Sequence, residues 1–261
     1  MLKVSVLTSG SKGNSTLVQT DQTVVLFDAG ITYKKTAEML EELRVNPLHI
    51  DAIVISHEHT DHVGGAGVLS RKLKIPIYIT QQTFGRSAHK VGKLPIEPVY
   101  FDVGEPFQIK NLVVNSFTSP HDAIESCNFI VYNEDIAERR LAIATDLGYA
   151  PQLLLNKLKT ATTIVLESNH DLTMLMEGPY EWHLKQRIKS KLGHLSNVQA
   201  SEIVSTIYSE NLDRLILAHL SEQNNIPQLA LDNMKQTLQQ IKAKTELSIA
   251  SQITATPLFD V

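Results

Sequence analysis

The first half of the chain is a series of short apolar runs separated by polar turns, a pattern typical of strands. Two helices interrupt it. Thr32 is a suitable N-cap for a helix that runs to residue 44, and residues 80–91 have helical apolar spacing. Lys110-Asn111 predicts a hairpin turn. The predicted strands cover residues 4–7, 16–19, 24–28, 50–56, 76–79, 99–101, 107–109, 112–117, 128–132 and 140–144.

The second half changes to alternating helices and strands. We expect helices at residues 151–158, 180–192, 198–209 and 227–243, strands at 163–166 and 214–217, and β-structure again at 247–257. Strands that alternate with helices in both halves favour an α/β fold in which two half-sheets face each other with helices outside, a four-layer αββα sandwich. No low-complexity segment or Gly/Ser linker divides the chain, so we predict a single domain over residues 1–261.

The composition excludes several classes of protein. With 43% hydrophobic and 20% charged residues among 261, the chain has the composition of an ordinary globular protein with a sizeable core. Its single cysteine, Cys127, excludes an intrachain disulfide and a thiolate-rich zinc site. The net charge of −4 gives no support to nucleic-acid binding, although a local basic face is sufficient for it. No secretory or membrane-spanning apolar run is present, so we expect a cytoplasmic protein without membrane contact.

Four metal-ligand side chains lie within six residues, His57, His59, Asp61 and His62, directly after the apolar run at 50–56. Imidazole and carboxylate bind divalent metals well. Three imidazoles and a carboxylate are too many for one catalytic ion that has to keep a position open, and they suit two ions. The run therefore predicts a two-metal site.

Three further candidate ligands follow other predicted strands. His121 comes after the run at 112–117, Asp146 after 140–144 and His219 after 214–217. Each one alone is a weak indication, because a histidine at a strand end is more often structural. Ligands grouped at one sheet edge can converge, so together with the six-residue run they form one ordered set of seven.

This ordered set resembles the metallo-β-lactamase superfamily of two-metal hydrolases. An aspartate at position 146, where the commonest zinc β-lactamases carry a cysteine, favours the phosphodiesterase and glyoxalase II branches. The resemblance also implies that Asp28, which precedes Ala29-Gly30, supports the metal loop. It implies the following ligands: His57, His59 and His121 for a first metal, Asp61, His62 and His219 for a second, and Asp146 bridging both.

A finer resemblance covers nearly the whole chain. The segments Ser-Gly-Ser-Lys-Gly-Asn-Ser at 9–15, Glu-Ser-Asn-His-Asp at 167–171, Gly-His-Leu-Ser-Asn at 193–197 and Ala-His-Leu-Ser-Glu-Gln-Asn-Asn at 218–225 resemble the YycJ/WalJ (VicX) family. That family is bacterial and is regarded as a group of nucleases. Lys12 departs from the small residue expected in the first loop. The inserted domain of the RNase J and CPSF-type nucleases and the basic arm of ribonuclease Z are both absent.

The function that the resemblance implies is a two-metal phosphodiesterase, a DNA exonuclease, in which a metal-bridging hydroxide attacks phosphorus. Asp61 would orient the hydroxide. His194, held in its tautomer by Glu167, would protonate the leaving alkoxide, as in the matching loops of ribonuclease Z. Asn14 and His170 are expected to contact either the metal ligands or the substrate. Zinc or manganese is expected at both positions, and iron is possible.

The segment from His183 to Lys191 is rich in fixed cations, and it leads into the loop of His194. Lys185, Arg187 and Lys189 are candidate phosphate contacts, with a solvated helix face as the alternative. Tyr180 and Trp182 are candidates for base stacking, but core packing is the stronger expectation for Trp182, the only tryptophan.

Two other function classes remain open from the sequence. One is a small-molecule metallohydrolase that acts on a cyclic phosphodiester, a thioester or a lactone, which the net charge of −4 mildly favours. The other is a metal-stabilised protein without catalysis, although the seven filled ligand positions argue against it. Nucleic acid is the expected partner, with DNA favoured over RNA.

Overall fold

Two seven-stranded mixed sheets form the middle of the molecule in the computed structural model, which describes residues 1–261. The first sheet has the order β14-β1-β2-β3-β4-β5-β6 and the second has the order β13-β12-β11-β10-β9-β8-β7. The strands are β1 Lys3–Thr8, β2 Ser15–Gln19, β3 Val24–Phe27, β4 Ala52–Val54, β5 Ile77–Ile79, β6 Val99–Tyr100, β7 Pro106–Ile109, β8 Leu112–Thr118, β9 Cys127–Asn133, β10 Arg140–Ala144, β11 Thr163–Glu167, β12 Arg214–Ala218, β13 Glu246–Ile249 and β14 Phe259–Asp260.

Nine α-helices accompany the sheets. None of them has the length and apolarity that a membrane crossing requires. Thr32 caps the first helix through its side chain, as the sequence predicts, and Thr80 caps the fourth helix in the same way. The helices are α1 Tyr33–Glu42, α2 Thr60–Val63, α3 Ala66–Leu73, α4 Gln81–Val91, α5 Gln152–Leu158, α6 Leu172–Glu177, α7 Trp182–Lys189, α8 Asn197–Ile207 and α9 Pro227–Gln240.

The apolar core has three parts, and together they define the four layers. One cluster lies between the sheets, where Phe27 of β3 meets Phe129 of β9 edge to face at 5.1 Å between ring centroids. A second cluster packs the first sheet against α1, α3 and α4, and a third packs the second sheet against α5, α8 and α9. The predicted αββα sandwich is confirmed.

Parallel pairing brings the ends of several strands to one edge. In the first sheet β3, β4 and β5 are parallel neighbours, and in the second sheet β10, β11 and β12 are. The carboxyl ends of parallel strands lie at the same edge of a sheet, where ligand sites of open α/β sheets occur. Asp28, His57, Asp146, Glu167 and His219 all stand at or just after these ends.

Two predictions of elements were wrong in extent, and three helices were not predicted. The helix expected at 180–192 spans only Trp182–Lys189, because Glu181 is its N-cap and an extended Ser190 ends it. The expected β-structure at 247–257 stops at Ile249, and the last strand is β14. The sequence did not predict α2 and α3, which follow the metal run directly, or α6.

Candidate metal centre

Three residues of the site have left-handed backbone conformations. Asp28, Asp146 and His219 have φ angles of 60°, 57° and 56°. Asp28 and His219 directly follow a strand, and Asp146 comes two residues after the end of β10. This region is uncommon for residues other than glycine, and it persists where the surrounding structure holds it in place. The chain therefore turns sharply at three strand ends, at the edge where the candidate ligands meet.

Three histidines converge on one point. The distance from His57 Nε2 to His59 Nδ1 is 3.1 Å, and that from His121 Nε2 to His59 Nδ1 is 3.3 Å. Two of the three rings have a partner at the other nitrogen, since Ser56 Oγ is 2.9 Å from His57 Nδ1 and the Gly193 carbonyl is 3.2 Å from His121 Nδ1. Such partners fix the tautomer, so that a lone pair is left for a metal.

A second group lies beside the first. Asp61 Oδ2 is 3.4 Å from His62 Nε2 and 3.8 Å from His219 Nε2. Asp146 stands between the two groups. Its Oδ2 is 3.3 Å from His62 Nε2, and its Oδ1 is 3.7 Å from His121 Nε2 and 3.6 Å from His219 Nε2. The structure thus brings together all seven predicted ligands, with Asp146 in contact with both groups.

These donors fit divalent metal ions. Asp146 Oδ2 and His219 Nε2 are buried without a hydrogen-bond partner, an arrangement that is unfavourable unless a cation completes it. Burial opposes ionisation of Asp146, but the His219 and His62 rings outweigh burial and hold its pKa well below the usual range. An ionised carboxylate among converging imidazoles is a ligand set for divalent metals. The His/Asp clusters therefore indicate divalent metal binding.

Asp28 and Asn14 support the metal loop from behind. Asp28 Oδ1 accepts from the Ser56 backbone N–H at 2.8 Å, and Asp28 Oδ2 is 2.8 Å from His62 Nδ1. Asn14 Nδ2 is 3.1 Å from Asp61 Oδ2, and the Asn14 side chain also closes its own loop on Gly10. Both residues are buried and are absent from the lining of the cleft. They contact ligands and have no direct access to a substrate.

Replacing Asp28 with asparagine is expected to weaken metal binding about 10- to 100-fold, because His62 loses the charged partner that orients its ring. Metal affinity measured by competition with a chromogenic chelator tests this. The matched control is Asp232→Asn on the exposed face of α9, which should bind metal like the unmodified protein. Equal affinity in both variants would exclude a supporting role for Asp28.

Gly30 allows the loop after β3 to lie directly against the metal run. A Cβ atom at position 30 would overlap the carbonyl oxygen of Asp61, whereas one at Gly85 in α4 meets nothing within 4 Å. We expect Gly30→Ala to lower the free energy of unfolding by about 3 kcal/mol, and Gly85→Ala to leave it unchanged or raise it by up to about 1 kcal/mol. Denaturant unfolding of both variants measures the difference, and similar stabilities would contradict the close packing.

Glu167 joins the metal centre to His194. Its Oε1 is 2.7 Å from His194 Nδ1 and 2.8 Å from His219 Nδ1, and its Oε2 accepts from the backbone N–H groups of Leu147 and Leu195. Glu167 is completely buried. Burial opposes its ionisation, but His194 and His219 outweigh burial and hold its pKa at about 2. One buried carboxylate therefore orients both a candidate ligand and the predicted proton donor, and the sequence indicated only the second of these contacts.

The predicted substrate contacts had mixed outcomes. Lys185 is buried and its Nζ donates to the Met176 carbonyl at 2.8 Å, so the prediction that it contacts phosphate was wrong. Arg187 lines the cleft, but it is paired with Asp122, and Lys189 is exposed outside the lining. The spacing of charged residues predicts which of them share a helix face. It does not predict which part of the chain packs against that face, so the burial of Lys185 could not be predicted.

Two further predictions concerned the side chains of Trp182 and His170. Core packing for Trp182 was wrong: its side chain is 61% exposed at the start of α7. His170 is 1% exposed and lies outside the cleft lining, and burial lowers its pKa to about 4. Its neighbour Asn169 lines the cleft instead, while the Asn169 side chain donates to the His219 carbonyl at 2.8 Å.

A cleft of about 400 Å³ opens onto the metal centre. Among its lining residues, Lys90 is a cation that the sequence did not indicate, and its Nζ donates to the Glu58 carbonyl at 2.9 Å. No local motif could have indicated it, because it lies on α4, remote in sequence from every ligand. The other lining residues outside the ligand set are Ser11, Thr60, Asp122, Asn169, Tyr180, Leu184, Arg187, Ile188, Gly193, His194 and Ser221.

A four-layer αββα sandwich with a histidine and aspartate centre at the common edge of its sheets defines a metal-dependent hydrolase of the metallo-β-lactamase fold. Residues 9–182 match the model of the metallo-β-lactamase superfamily. Exodeoxyribonuclease YycJ of Bacillus anthracis is 36% identical over 240 residues, which are 92% of this chain and 90% of that protein. The chain therefore belongs to the metallo-β-lactamase superfamily and, within it, to the YycJ/WalJ family.

Two further similarities agree with this assignment. Exodeoxyribonuclease WalJ of Streptococcus pneumoniae is 34% identical over 99% of this chain and 98% of its own length. The crystal structure of the metallo-β-lactamase fold protein YhfI from Bacillus subtilis superposes with a TM-score of 0.72 and 15% identity, and the match covers 98% of each chain. At that identity the structural similarity supports the fold alone.

Proposed function

We propose that this chain is a two-metal phosphodiesterase that acts on DNA as an exonuclease, with residues 1–261 as one catalytic domain. The observation that carries the proposal is the set of seven converging donors in two groups that share Asp146. The names of relatives that are 34–36% identical over at least 92% of the chain support DNA as the substrate. Zinc or manganese suits the donors, and iron is a further candidate.

His57, His59 and His121 would hold the first metal, and Asp61, His62 and His219 the second, with Asp146 shared. Two divalent ions held there supply Lewis-acid stabilisation of phosphoryl charge and lower the pKa of water. The chain itself fixes the ligands before a substrate arrives, since Ser56, Asp28, Glu167 and the Gly193 carbonyl orient the rings. Preorganised groups of this kind need little rearrangement during the reaction.

His194 is positioned to move a proton at the leaving group. Its Nδ1 is paired with ionised Glu167, which leaves Nε2 as the ring nitrogen without an internal partner, and the ring lines the cleft. A carboxylate at Nδ1 fixes the tautomer and the orientation of the ring. Asp61, which also lines the cleft, would orient the attacking water.

A small-molecule metallohydrolase is the second candidate, and one observation favours it. The two fixed cations that line the cleft, Lys90 and Arg187, both donate to groups of the chain itself. Electrostatic attraction of a long polyanion into the cleft is therefore weak. A compact ester in a cleft of about 400 Å³ would not depend on such attraction.

An activity panel separates the two candidates. Purified protein loaded with zinc or with manganese is offered single- and double-stranded DNA, RNA, a cyclic phosphodiester, a thioester and a lactone. We expect progressive release of mononucleotides from DNA ends with at least one metal, and no comparable turnover of the thioester. Turnover of the thioester or lactone without any cleavage of DNA would replace the nuclease with the second candidate.

A further inference from the structure

One side of the cleft is apolar, and it comes from a single segment of the chain. Three of the lining side chains are apolar: Tyr180, Leu184 and Ile188. Leu184 and Ile188 are four residues apart, so they share one face of α7, and Tyr180 lies in the bend just before the extended N-cap Glu181 and lines the same cleft. All three are partly exposed, so the fold leaves this apolar wall (Tyr180, Leu184, Ile188) open to the cleft.

The apolar wall is held in a fixed position relative to the metal centre. Arg187 on the same helix donates through Nε to Asp122 Oδ2 at 2.6 Å, and Asp122 follows the candidate ligand His121. The turn after α7 returns to the same histidine, because the Gly193 carbonyl is 3.2 Å from His121 Nδ1. A substrate group that packs on the apolar wall is thereby placed relative to the reacting phosphodiester.

The rest of the lining consists of histidines, carboxylates and small polar side chains, apart from Lys90 and the paired Arg187. A cleft with an ionic floor and one apolar side matches a ligand with the same asymmetry. A nucleotide has it, since its phosphate is charged and its base has an apolar face. Stacking of a base on an aromatic ring is favourable for every base, and it therefore binds without sequence preference.

We propose that Tyr180, supported by Leu184 and Ile188, stacks the base of the nucleotide next to the scissile phosphate, and that this contact positions DNA ends for cleavage. The inference rests on the proposed function. It adds the feature of the substrate that the site recognises, which is a base of any identity next to the phosphodiester.

The experiment combines a change in the protein with a change in the substrate. Wild type, Tyr180→Ala and Tyr180→Phe are given single-stranded DNA whose cleaved end carries either an ordinary nucleotide or an abasic one. On the ordinary end we expect Tyr180→Ala to lower kcat/KM about tenfold and Tyr180→Phe to stay within about twofold. On the abasic end the three proteins should agree within about twofold, because the partner of the ring is missing.

Trp182→Ala is the matched control, since Trp182 is an exposed ring two residues away and outside the cleft lining. It should equal wild type on both ends. An equal loss for Tyr180→Ala on both ends, or no loss on either, would overturn the inference.

If wild type cleaves no DNA at all, the proposed function is wrong. Equilibrium binding of the same oligonucleotides to the three proteins then tests the stacking proposal by itself. The expected Kd rises for Tyr180→Ala with the ordinary end only. A Kd that responds neither to the ring nor to the base would contradict stacking.

Discussion

Replacing Asp146 with asparagine is expected to lower kcat/KM on a phosphodiester by on the order of 10³-fold. Asp146 is 3% exposed, and its two oxygens face His62 on one side and His121 and His219 on the other. An amide of the same shape removes the negative charge that both metal positions share. Steady-state kinetics and metal content per chain measure the two consequences.

The matched control for this substitution is Asp102→Asn, because Asp102 also follows a strand but is exposed and does not line the cleft. It should retain full turnover and the same metal content as wild type. An Asp146→Asn protein that holds as much metal as wild type and cleaves as fast would show that Asp146 is not shared between two ions.

Removing the imidazole with His194→Ala is expected to lower kcat on DNA by about 10²- to 10⁴-fold while the metal content stays the same. The ring lines the cleft, and its Nδ1 is 2.7 Å from Glu167 Oε1, so that nitrogen is already paired and is not one of the seven predicted ligand atoms. Protonation of the leaving group accelerates the reaction only when that group is a strong base, such as an alkoxide. The same variant should therefore cleave a p-nitrophenyl phosphodiester within about threefold of wild type.

His183→Ala is the control for His194→Ala, because the His183 side chain is an exposed imidazole on α7. We expect its kcat to equal that of wild type with either substrate. Equal losses on DNA and on the p-nitrophenyl ester would assign His194 to metal binding or to folding instead of proton transfer.

The sequence predicted the layers of the fold and the seven converging donors because both depend on local patterns. Apolar runs define strands, and polar residues at the ends of parallel strands meet at one edge whatever the loops do. The supporting role of Asp28 was implied by the family resemblance, and the structure places Asp28 directly after β3, which pairs with β4. The left-handed backbone at Asp146 and His219 leaves no pattern in the residue types around it.

The substrate side of the site could not be predicted, because it depends on how short segments dock. Lys185 has the spacing of a surface cation, yet α7 packs so that its Nζ reaches the Met176 carbonyl. Trp182 has a large, mostly apolar side chain of the kind expected in a core. It nevertheless lies at the N-terminal end of a helix of eight residues with its ring exposed. Lys90 reaches the cleft only because α4 lies next to α2 and α3. Tertiary packing decides all three.

The most direct test of the metal centre is a crystal structure of the zinc- or manganese-loaded protein with anomalous scattering recorded at the edge of that metal. Two peaks are predicted: one among His57, His59 and His121, the other among Asp61, His62 and His219, with Asp146 between them. One peak alone, or a metal bound elsewhere while these side chains stay empty, would contradict the two-metal account.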